Sequence, residues 1–245
     1  MTDPRDQIIV ALDGDPHEAS EWAQELSGTA RWAKIGMTLF YLTGPVIVKE
    51  LHALGYRVFM DLKLHDIPNQ VEGAAERLAR LGVDLITVHA FGGRDMMTAA
   101  MKGAVCGAEA VQKPAPAIIA VTVLTSMSDA DLNAVGVSDK VEQEVSRLRG
   151  LACSADGLGS GLNGIVCSPL EAAEARKALG QDAWIVTPGV RPAGAEAGDQ
   201  TRVMTPSEAL AAGASHLVIG RPITQAQDRV QAFNDIVAGI ESERT

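Results

Sequence analysis

The chain has 245 residues, of which 47% are hydrophobic and 21% charged, enough for one large hydrophobic core. Its formal net charge of −10 argues against a general nucleic-acid or anionic-membrane surface, because the protein would repel both. The first residues lack the basic-then-apolar pattern of a secretory signal, and no apolar stretch reaches the length of a membrane span. We therefore expect a cytoplasmic protein, in which the scattered Cys106, Cys153 and Cys167 are free thiols.

Short apolar runs rich in β-branched residues recur along the chain and predict eight strands. They lie at residues 8–13, 32–36, 58–63, 85–89, 117–124, 164–168, 184–189 and 216–220. Amphipathic segments such as 71–81 separate them, a pattern typical of parallel strands covered by helices. No linker divides the chain, so we predict an α/β protein with a single domain, a (β/α)8 TIM barrel over residues 1–245.

Polar residues follow almost every predicted strand. They are Asp13, Lys34, Lys63, His89, Thr125, Arg191 and Arg221. A doubly wound open sheet, the alternative fold, usually gathers its site after only one or two strands. In a barrel, the carboxyl ends of all strands surround the catalytic face, so this distribution favours the barrel.

The segment 61–69 carries the strongest chemical signal. Asp61, Lys63 and Asp66 lie within six residues, directly after an apolar run. Asp61 and Lys63 share one face of an extended chain, and Pro68 ends the strand soon after Asp66. This spacing predicts a lysine held between two carboxylates, which favour its charged ammonium form. We expect Lys63 to be a proton donor rather than a nucleophile.

Glycine followed by arginine occurs after both the seventh and the eighth predicted strands, at Gly189 and Arg191 and at Gly220 and Arg221. Barrels commonly bind phosphate at this place, through exposed backbone N–H groups and charge-assisted contacts. One such pair would be interpreted as a surface arginine in a turn, whereas two adjacent pairs favour phosphate binding. The intervening segment 193–200 is rich in small residues and is predicted to be a lid.

Other candidate residues have simpler explanations. His89 is interpreted as a core or rim histidine, and a metal site at His65 is disfavoured because the Lys63 ammonium would repel a cation. Residues 159–164 match the dinucleotide fingerprint, but they precede a strand where the fingerprint must follow one. Lys34, in an apolar strand, is interpreted as a site residue.

Taken together, these motifs closely resemble those of the orotidine 5′-monophosphate decarboxylase family in its short bacterial form. The matching segments are 11–13, 34–37, 61–69, 124–126, 187–191, 199–200 and 220–221. The resemblance implies a homodimeric barrel that converts orotidine 5′-monophosphate to uridine 5′-monophosphate and CO2, the last step of pyrimidine nucleotide synthesis. It also implies that the reaction needs no cofactor and no metal.

The same resemblance implies residue roles. Lys63 corresponds to the acid that protonates C6, and Asp61 and Asp66 to its flanking carboxylates, with Lys34 in the same charged array. The expected substrate contacts are Asp13 and Lys34 at the ribose, Thr125 at the pyrimidine, and Arg191, Gln200, Gly220 and Arg221 at the phosphate. Asp66 and the following residues, including Ile67, are expected to reach the partner subunit's site. Gln70 stands where the family usually has a threonine that contacts a ribose hydroxyl across the dimer.

Two alternatives remain open. Phosphosugar lyases on the same scaffold, such as hexulose-phosphate synthase and keto-gulonate-phosphate decarboxylase, share the Asp-x-Lys-x-x-Asp core. They hold Mg2+ with an acidic residue on the second strand, where this chain has Lys34. A catalytically silent nucleotide-binding barrel is hinted at only by Gln70, and the complete set of Asp61, Lys63 and Asp66 argues against it.

Overall fold

Eight parallel strands close into a barrel in chain order. The protein is represented by a computed structural model that describes residues 2–154, 159–191 and 204–243. The strands are β1 (Ile8–Ala11), β2 (Trp32–Gly36), β3 (Arg57–Leu64), β4 (Leu85–His89), β5 (Ala117–Val121), β6 (Gly164–Val166), β7 (Trp184–Pro188) and β8 (His216–Ile219). Each strand pairs in parallel with the next, and β8 pairs with β1. The predicted (β/α)8 barrel is confirmed.

Helices cover the outside of the barrel. They are α1 (Pro16–Leu26), α2 (Met37–Thr43), α3 (Val46–Ala53), α4 (Pro68–Arg80), α5 (Gly93–Ala110), α6 (Asp129–Ala134), α7 (Val141–Cys153), α8 (Ala172–Leu179), α9 (Pro206–Ala211), α10 (Arg221–Thr224) and α11 (Arg229–Glu243). Short 3-10 turns span Pro4–Asp6, Ala90–Gly92 and Pro169–Glu171. Among the helices of residues 2–154, 159–191 and 204–243, none combines the length and the hydropathy of a membrane-spanning segment.

Alternation along each strand divides the core into two layers. Ile9 of β1 packs inside the barrel with Phe59 and other inward residues, whereas Ile8 and Val10 face the helices. Both layers exclude water, so the strands are apolar on both faces, as the sequence indicated. Cys167 is buried, and all three cysteines are free, which confirms the prediction of free thiols.

Strand β3 is irregular where it carries its charged residues. Its register against β4 passes from Met60 opposite Ile86 to Leu64 opposite Val88, so β3 has extra residues at this point. Lys63 lies within the irregular stretch and has a positive φ of 50°, which is uncommon for a residue other than glycine. The sequence pattern predicts a regular strand here, and the bulge differs from that expectation.

Candidate active site

A cavity of about 570 Å3 opens at the carboxyl ends of the strands. The predicted site residues that line it are Asp13, Lys34, Asp61, Lys63, Thr125, Arg191, Gly220 and Arg221. They come from separate strands and the loops that follow them, and the closed barrel brings them to one face.

Lysine and aspartate side chains alternate along one wall of the cavity. The Lys63 ammonium donates to both carboxylate oxygens of Asp61 at 2.9 Å. The Lys34 Nζ lies 3.7 Å from Asp61 Oδ2 and donates to Asp13 Oδ1 at 2.8 Å. The order Lys63, Asp61, Lys34, Asp13 places every charge beside an opposite one. This pairing compensates Lys34 and Asp61, the two charged groups of the array that are largely buried.

Asp61 is held in its ionised form. Burial by itself would raise the pKa of this carboxyl group, but the charges of Lys34 and Lys63 and hydrogen bonds from Lys63 and Thr87 outweigh burial and lower the pKa below its usual value. An ionised Asp61 attracts the Lys63 ammonium, which lies 2.9 Å from both of its carboxylate oxygens.

Thr87 of β4 is a site residue that the sequence analysis missed. Its hydroxyl accepts a hydrogen bond from the Lys63 backbone N–H at 2.9 Å and donates to Asp61 Oδ1 at 3.0 Å. The side chain is fully buried. The sequence signal is a polar residue within the apolar run 85–88, but threonine is common in strands, so this position does not stand out from its local sequence.

Asp66, Ile67 and Gln70 occupy different positions from the other predicted site residues. All three are exposed and do not line the cavity of their own chain. The Asp66 carboxylate accepts a hydrogen bond from the Ile67 N–H at 2.7 Å. The prediction that Lys63 lies between two carboxylates therefore holds on one side only within a single chain, where its described carboxylate partner is Asp61.

The other end of the cavity is basic. Arg191 is buried, with 8% of its surface exposed, and Arg221 lines the same cavity. Burial lowers the pKa of the Arg191 guanidinium, and the nearby Arg221 lowers it further. Gly189 has a φ of 81°, the left-handed conformation that favours glycine, and leads into Arg191. Gln200 and the predicted lid at 193–200 lie outside the described residues.

His89 is the last residue of β4 and packs against other aromatic rings. It stacks on His65 with ring centroids 5.4 Å apart and contacts Phe91. Burial, followed by the charges of His65 and Lys63, lowers the pKa of His89 to about 4, so it is neutral at pH 7. Within the described ranges, no group of three or more potential ligands is placed to hold a metal ion.

Comparison with known proteins identifies the family of this chain. A family model described as "Orotidine 5'-phosphate decarboxylase / HUMPS family" matches residues 6–236. The chain belongs to this family.

The fingerprint-like segment found at 159–164 precedes β6, which begins at Gly164, so it does not have the strand-then-helix context of a dinucleotide site.

Members of the family with similar sequences and structures cover nearly the whole chain. An orotidine 5'-phosphate decarboxylase of Opitutus terrae is 50% identical over 236 residues, 96% of this chain and 98% of its own. One of Moorella thermoacetica is 51% identical over 239 residues, 97% of this chain and 93% of its own. The crystal structure of the Lactobacillus acidophilus enzyme superposes with a TM-score of 0.82 at 36% identity, covering 96% of this chain and 98% of that one.

Proposed function

We propose that this protein catalyses the decarboxylation of orotidine 5′-monophosphate to uridine 5′-monophosphate and CO2. The observation that carries the proposal is the Lys63 ammonium, held at 2.9 Å by Asp61 in a cavity whose opposite end presents Arg191 and Arg221. A proton donor and an anion site in one cavity suit a nucleotide monophosphate that loses CO2 and gains a proton. The names of the similar family members support the same substrate.

The chemistry places a negative charge on carbon. When the bond between C6 and the carboxylate breaks, its electron pair stays on C6 as a vinyl carbanion and CO2 leaves. The Lys63 ammonium stabilises that developing charge and then delivers a proton to C6. Asp61 holds the ammonium in place, and Lys34 keeps Asp61 ionised beside it.

Substrate binding divides along the cavity. Arg191 and Arg221, with the backbone at Gly220, would hold the phosphate, to which Gln200 would add an amide. Asp13 and Lys34 would contact the ribose and Thr125 the pyrimidine. Because the phosphate is remote from the bond that breaks, its binding energy can order the charged array around the reacting carbon.

The proposal includes a homodimer with shared sites. Asp66, Ile67 and Gln70 are exposed and do not line their own cavity. Large apolar side chains are exposed at Ile67 and, on α2 and α3, at Met37, Tyr41, Leu42 and Val46. Tyr41 alone is 77% exposed. Large apolar side chains are costly to leave in water, and where they are covered by a partner they contribute to a protein interface. We propose that a second copy covers these side chains and that Asp66 and Ile67 reach the partner's charged array.

The proposed reaction needs neither a cofactor nor a metal ion. Lys34 and Lys63 both place ammonium groups against Asp61, and they would repel a divalent cation from that carboxylate. This argues against the magnesium-dependent lyases on the same scaffold. Free thiols at all three cysteines suit a reducing compartment, and we propose that the enzyme acts in the cytoplasm.

The proposal is tested by following the absorbance of orotidine 5′-monophosphate after addition of the purified protein in excess EDTA. We expect the substrate absorbance to disappear. Lys63→Ala should lower kcat by several orders of magnitude while the protein still binds uridine 5′-monophosphate, because the phosphate contacts remain. Lys177→Ala, at an exposed position on α8, is the matched control and should not change kcat.

Either of two results would contradict the proposal. Activity that vanishes in EDTA and returns with Mg2+ would favour the rival lyases. A near wild-type kcat in Lys63→Ala would show that another group donates the proton.

A further inference from the structure

We propose that Thr87 is a positioning residue for the proton donor, which it holds through both the backbone of Lys63 and the carboxylate of Asp61. The inference rests on the proposed function, since it assigns Lys63 and Asp61 their catalytic roles. Thr87 lies on a different strand from both residues and does not line the cavity. It would therefore act through them and not on the substrate.

The irregularity of β3 explains why a side chain is needed here. Between Met60 and Leu64 the ladder with β4 is out of register, and Lys63 takes a positive φ. Its backbone N–H donates to the Thr87 hydroxyl at 2.9 Å instead of to a β4 carbonyl. A buried N–H group without an acceptor is costly, so the hydroxyl stabilises the backbone conformation that carries the lysine.

The direction of the second hydrogen bond follows from the first. A backbone N–H can only donate, so the Thr87 oxygen is the acceptor of the Lys63 bond and its own hydrogen is available for Asp61. Asp61 Oδ1, at 3.0 Å, receives that hydrogen and also accepts from the Lys63 ammonium at 2.9 Å. The result is a closed ring of hydrogen bonds through the backbone of Lys63, Thr87, Asp61 and the Lys63 side chain.

The ring of hydrogen bonds fixes both the backbone conformation of Lys63 and the orientation of the Asp61 carboxylate. It sets the φ of Lys63, and hence the direction in which its side chain leaves the strand, and it sets the rotation of the Asp61 carboxylate that receives the ammonium. Positioning of this kind matters because small displacements of a catalytic group can reduce the rate greatly. The Thr87 hydroxyl also contributes to the low pKa of Asp61.

The test compares variants at position 87 that differ by the hydroxyl. Thr87→Val preserves the branched shape and removes the hydroxyl, and we expect kcat to fall roughly 10- to 100-fold, as for loss of hydrogen bonds to a charged group. KM should change little, because the arginines at the phosphate end are untouched. Thr87→Ser should restore kcat to within a few-fold of wild type.

A second readout separates positioning from general stability. Without the hydroxyl, Asp61 should take up a proton at higher pH, so the acidic limb of the kcat profile should move to higher pH in Thr87→Val and return in Thr87→Ser. Thr122→Val is the matched control: Thr122 is equally buried, and its hydroxyl donates to the Val166 carbonyl. It should lower stability while leaving kcat and the pH profile unchanged.

The outcomes distinguish this inference from the proposed function. A wild-type protein that does not decarboxylate orotidine 5′-monophosphate would overturn the proposed function and the inference with it. An active wild type together with a Thr87→Val variant of unchanged kcat and pH profile would overturn the inference alone. If Thr87→Val does not fold, Thr87→Ser and Thr87→Ala provide the same comparison, because they also differ only in the hydroxyl, and equal kcat values would refute the role.

Discussion

Individual residues decide the charge pattern of the cavity. The Asp61 carboxylate lies beside two ammonium groups, that of Lys34 on β2 and that of Lys63 on β3. Lys34 also pairs with the carboxylate of Asp13. Arg191 and Arg221, at the other end, place two guanidinium groups on one cavity. Like charges brought together in this way raise each other's energy, and an anion between them relieves the repulsion. The phosphate of a nucleotide is such an anion.

At this scale, we predict that Arg221→Ala weakens binding of uridine 5′-monophosphate roughly 10- to 100-fold and hardly affects binding of uridine. The charge-assisted contact exists only when phosphate is present. Calorimetric titration of both ligands measures the difference. Arg80→Ala is the control, because Arg80 pairs with Glu76 on α4 away from the cavity. Equal losses for both ligands would place Arg221 away from the phosphate.

His216 makes a pH-dependent contribution to stability. It stacks on Trp184 with ring centroids 4.3 Å apart, and burial and the charge of Arg57, opposed by Asp6, lower the pKa of the imidazole to about 4. The unfolded chain binds this proton near pH 6.5, whereas the folded protein does not. Stability due to His216 is therefore present above pH 6.5 and is lost as the pH falls towards 4.

We therefore predict that His216→Gln flattens the dependence of the free energy of unfolding on pH. Between pH 6.5 and about 4, protonation linked to His216 should lower the wild-type free energy of unfolding by roughly 3 kcal/mol, at about 1.4 kcal/mol for each pH unit. Urea unfolding between pH 7.5 and 4.5 measures the effect. His17→Gln, at an exposed position on α1, should leave the wild-type curve unchanged. Identical slopes in the wild type and His216→Gln would disprove the assignment.

At the scale of elements, the contact between α4 and α5 holds the segment that carries Asp66 and Gln70. Gly103 of α5 lies so close to α4 that a Cβ there would be 2.1 Å from the Glu72 carbonyl oxygen. At Gly107 a Cβ would be 2.2 Å from the Glu76 carbonyl oxygen. The two helices approach as closely as their backbones permit, and α4 begins at Pro68, directly after the exposed loop.

Gly103→Ala should lower the free energy of unfolding by about 1–3 kcal/mol, because the backbone of α4 must move. The sign is informative, since alanine normally stabilises a helix interior by about 0.5–1 kcal/mol relative to glycine. Gly150→Ala in α7 is the matched control: nothing lies within 4 Å of its Cβ, and it should stabilise the protein. Denaturant unfolding of both variants measures these changes in the free energy of unfolding. A stabilised Gly103→Ala would show that the helices can separate without cost.

At the scale of the whole molecule, Asp66 does not line the cavity of its own chain, so in the proposed function a single chain has an incomplete site. Lys63 Nζ lies 2.9 Å from Asp61 Oδ1 of the same chain, whereas Asp66 lies outside that chain's cavity. If the proposed dimer supplies Asp66 to the partner's site, every complete site contains groups from two chains. Each dimer would then have two such sites, related by its symmetry.

We predict complementation between Lys63→Ala and Asp66→Ala homodimers, each nearly inactive, after they exchange subunits. Random exchange makes about half of the dimers hybrids with one complete site of two, so activity should recover to about a quarter of wild type. Steady-state assays before and after verified exchange measure the recovery.

A mixture of Lys63→Ala and Asp61→Ala is the matched control for this experiment. These groups contact each other within one chain, so every site in the mixture still lacks one of them. This mixture should stay inactive. If the Lys63→Ala and Asp66→Ala mixture also stays inactive, Asp66 is not shared between subunits.

Local sequence patterns predicted the barrel and most of the charged and polar residues that line the cavity. Buried parallel strands must be apolar on both faces, so the runs such as 8–11 and 85–89 were visible without a structure. Residues at the carboxyl ends of parallel strands must meet at one face, which brought Asp13, Lys34, Lys63 and Arg191 together in the prediction. Both arguments depend only on local pattern and chain order.

The contacts among these residues depend on how the strands pair, which local sequence does not specify. The bulge in β3 and the positive φ of Lys63 arise from its pairing with β4, and pairing between strands cannot be read from the local sequence of either. For the same reason Thr87 was missed, since its role depends on which residues lie opposite it. Asp66 lies outside its own cavity because it follows the end of β3 at Leu64. Its distance in sequence from Lys63 and Asp61 would fix the direction of its side chain only if the regular strand continued to residue 66.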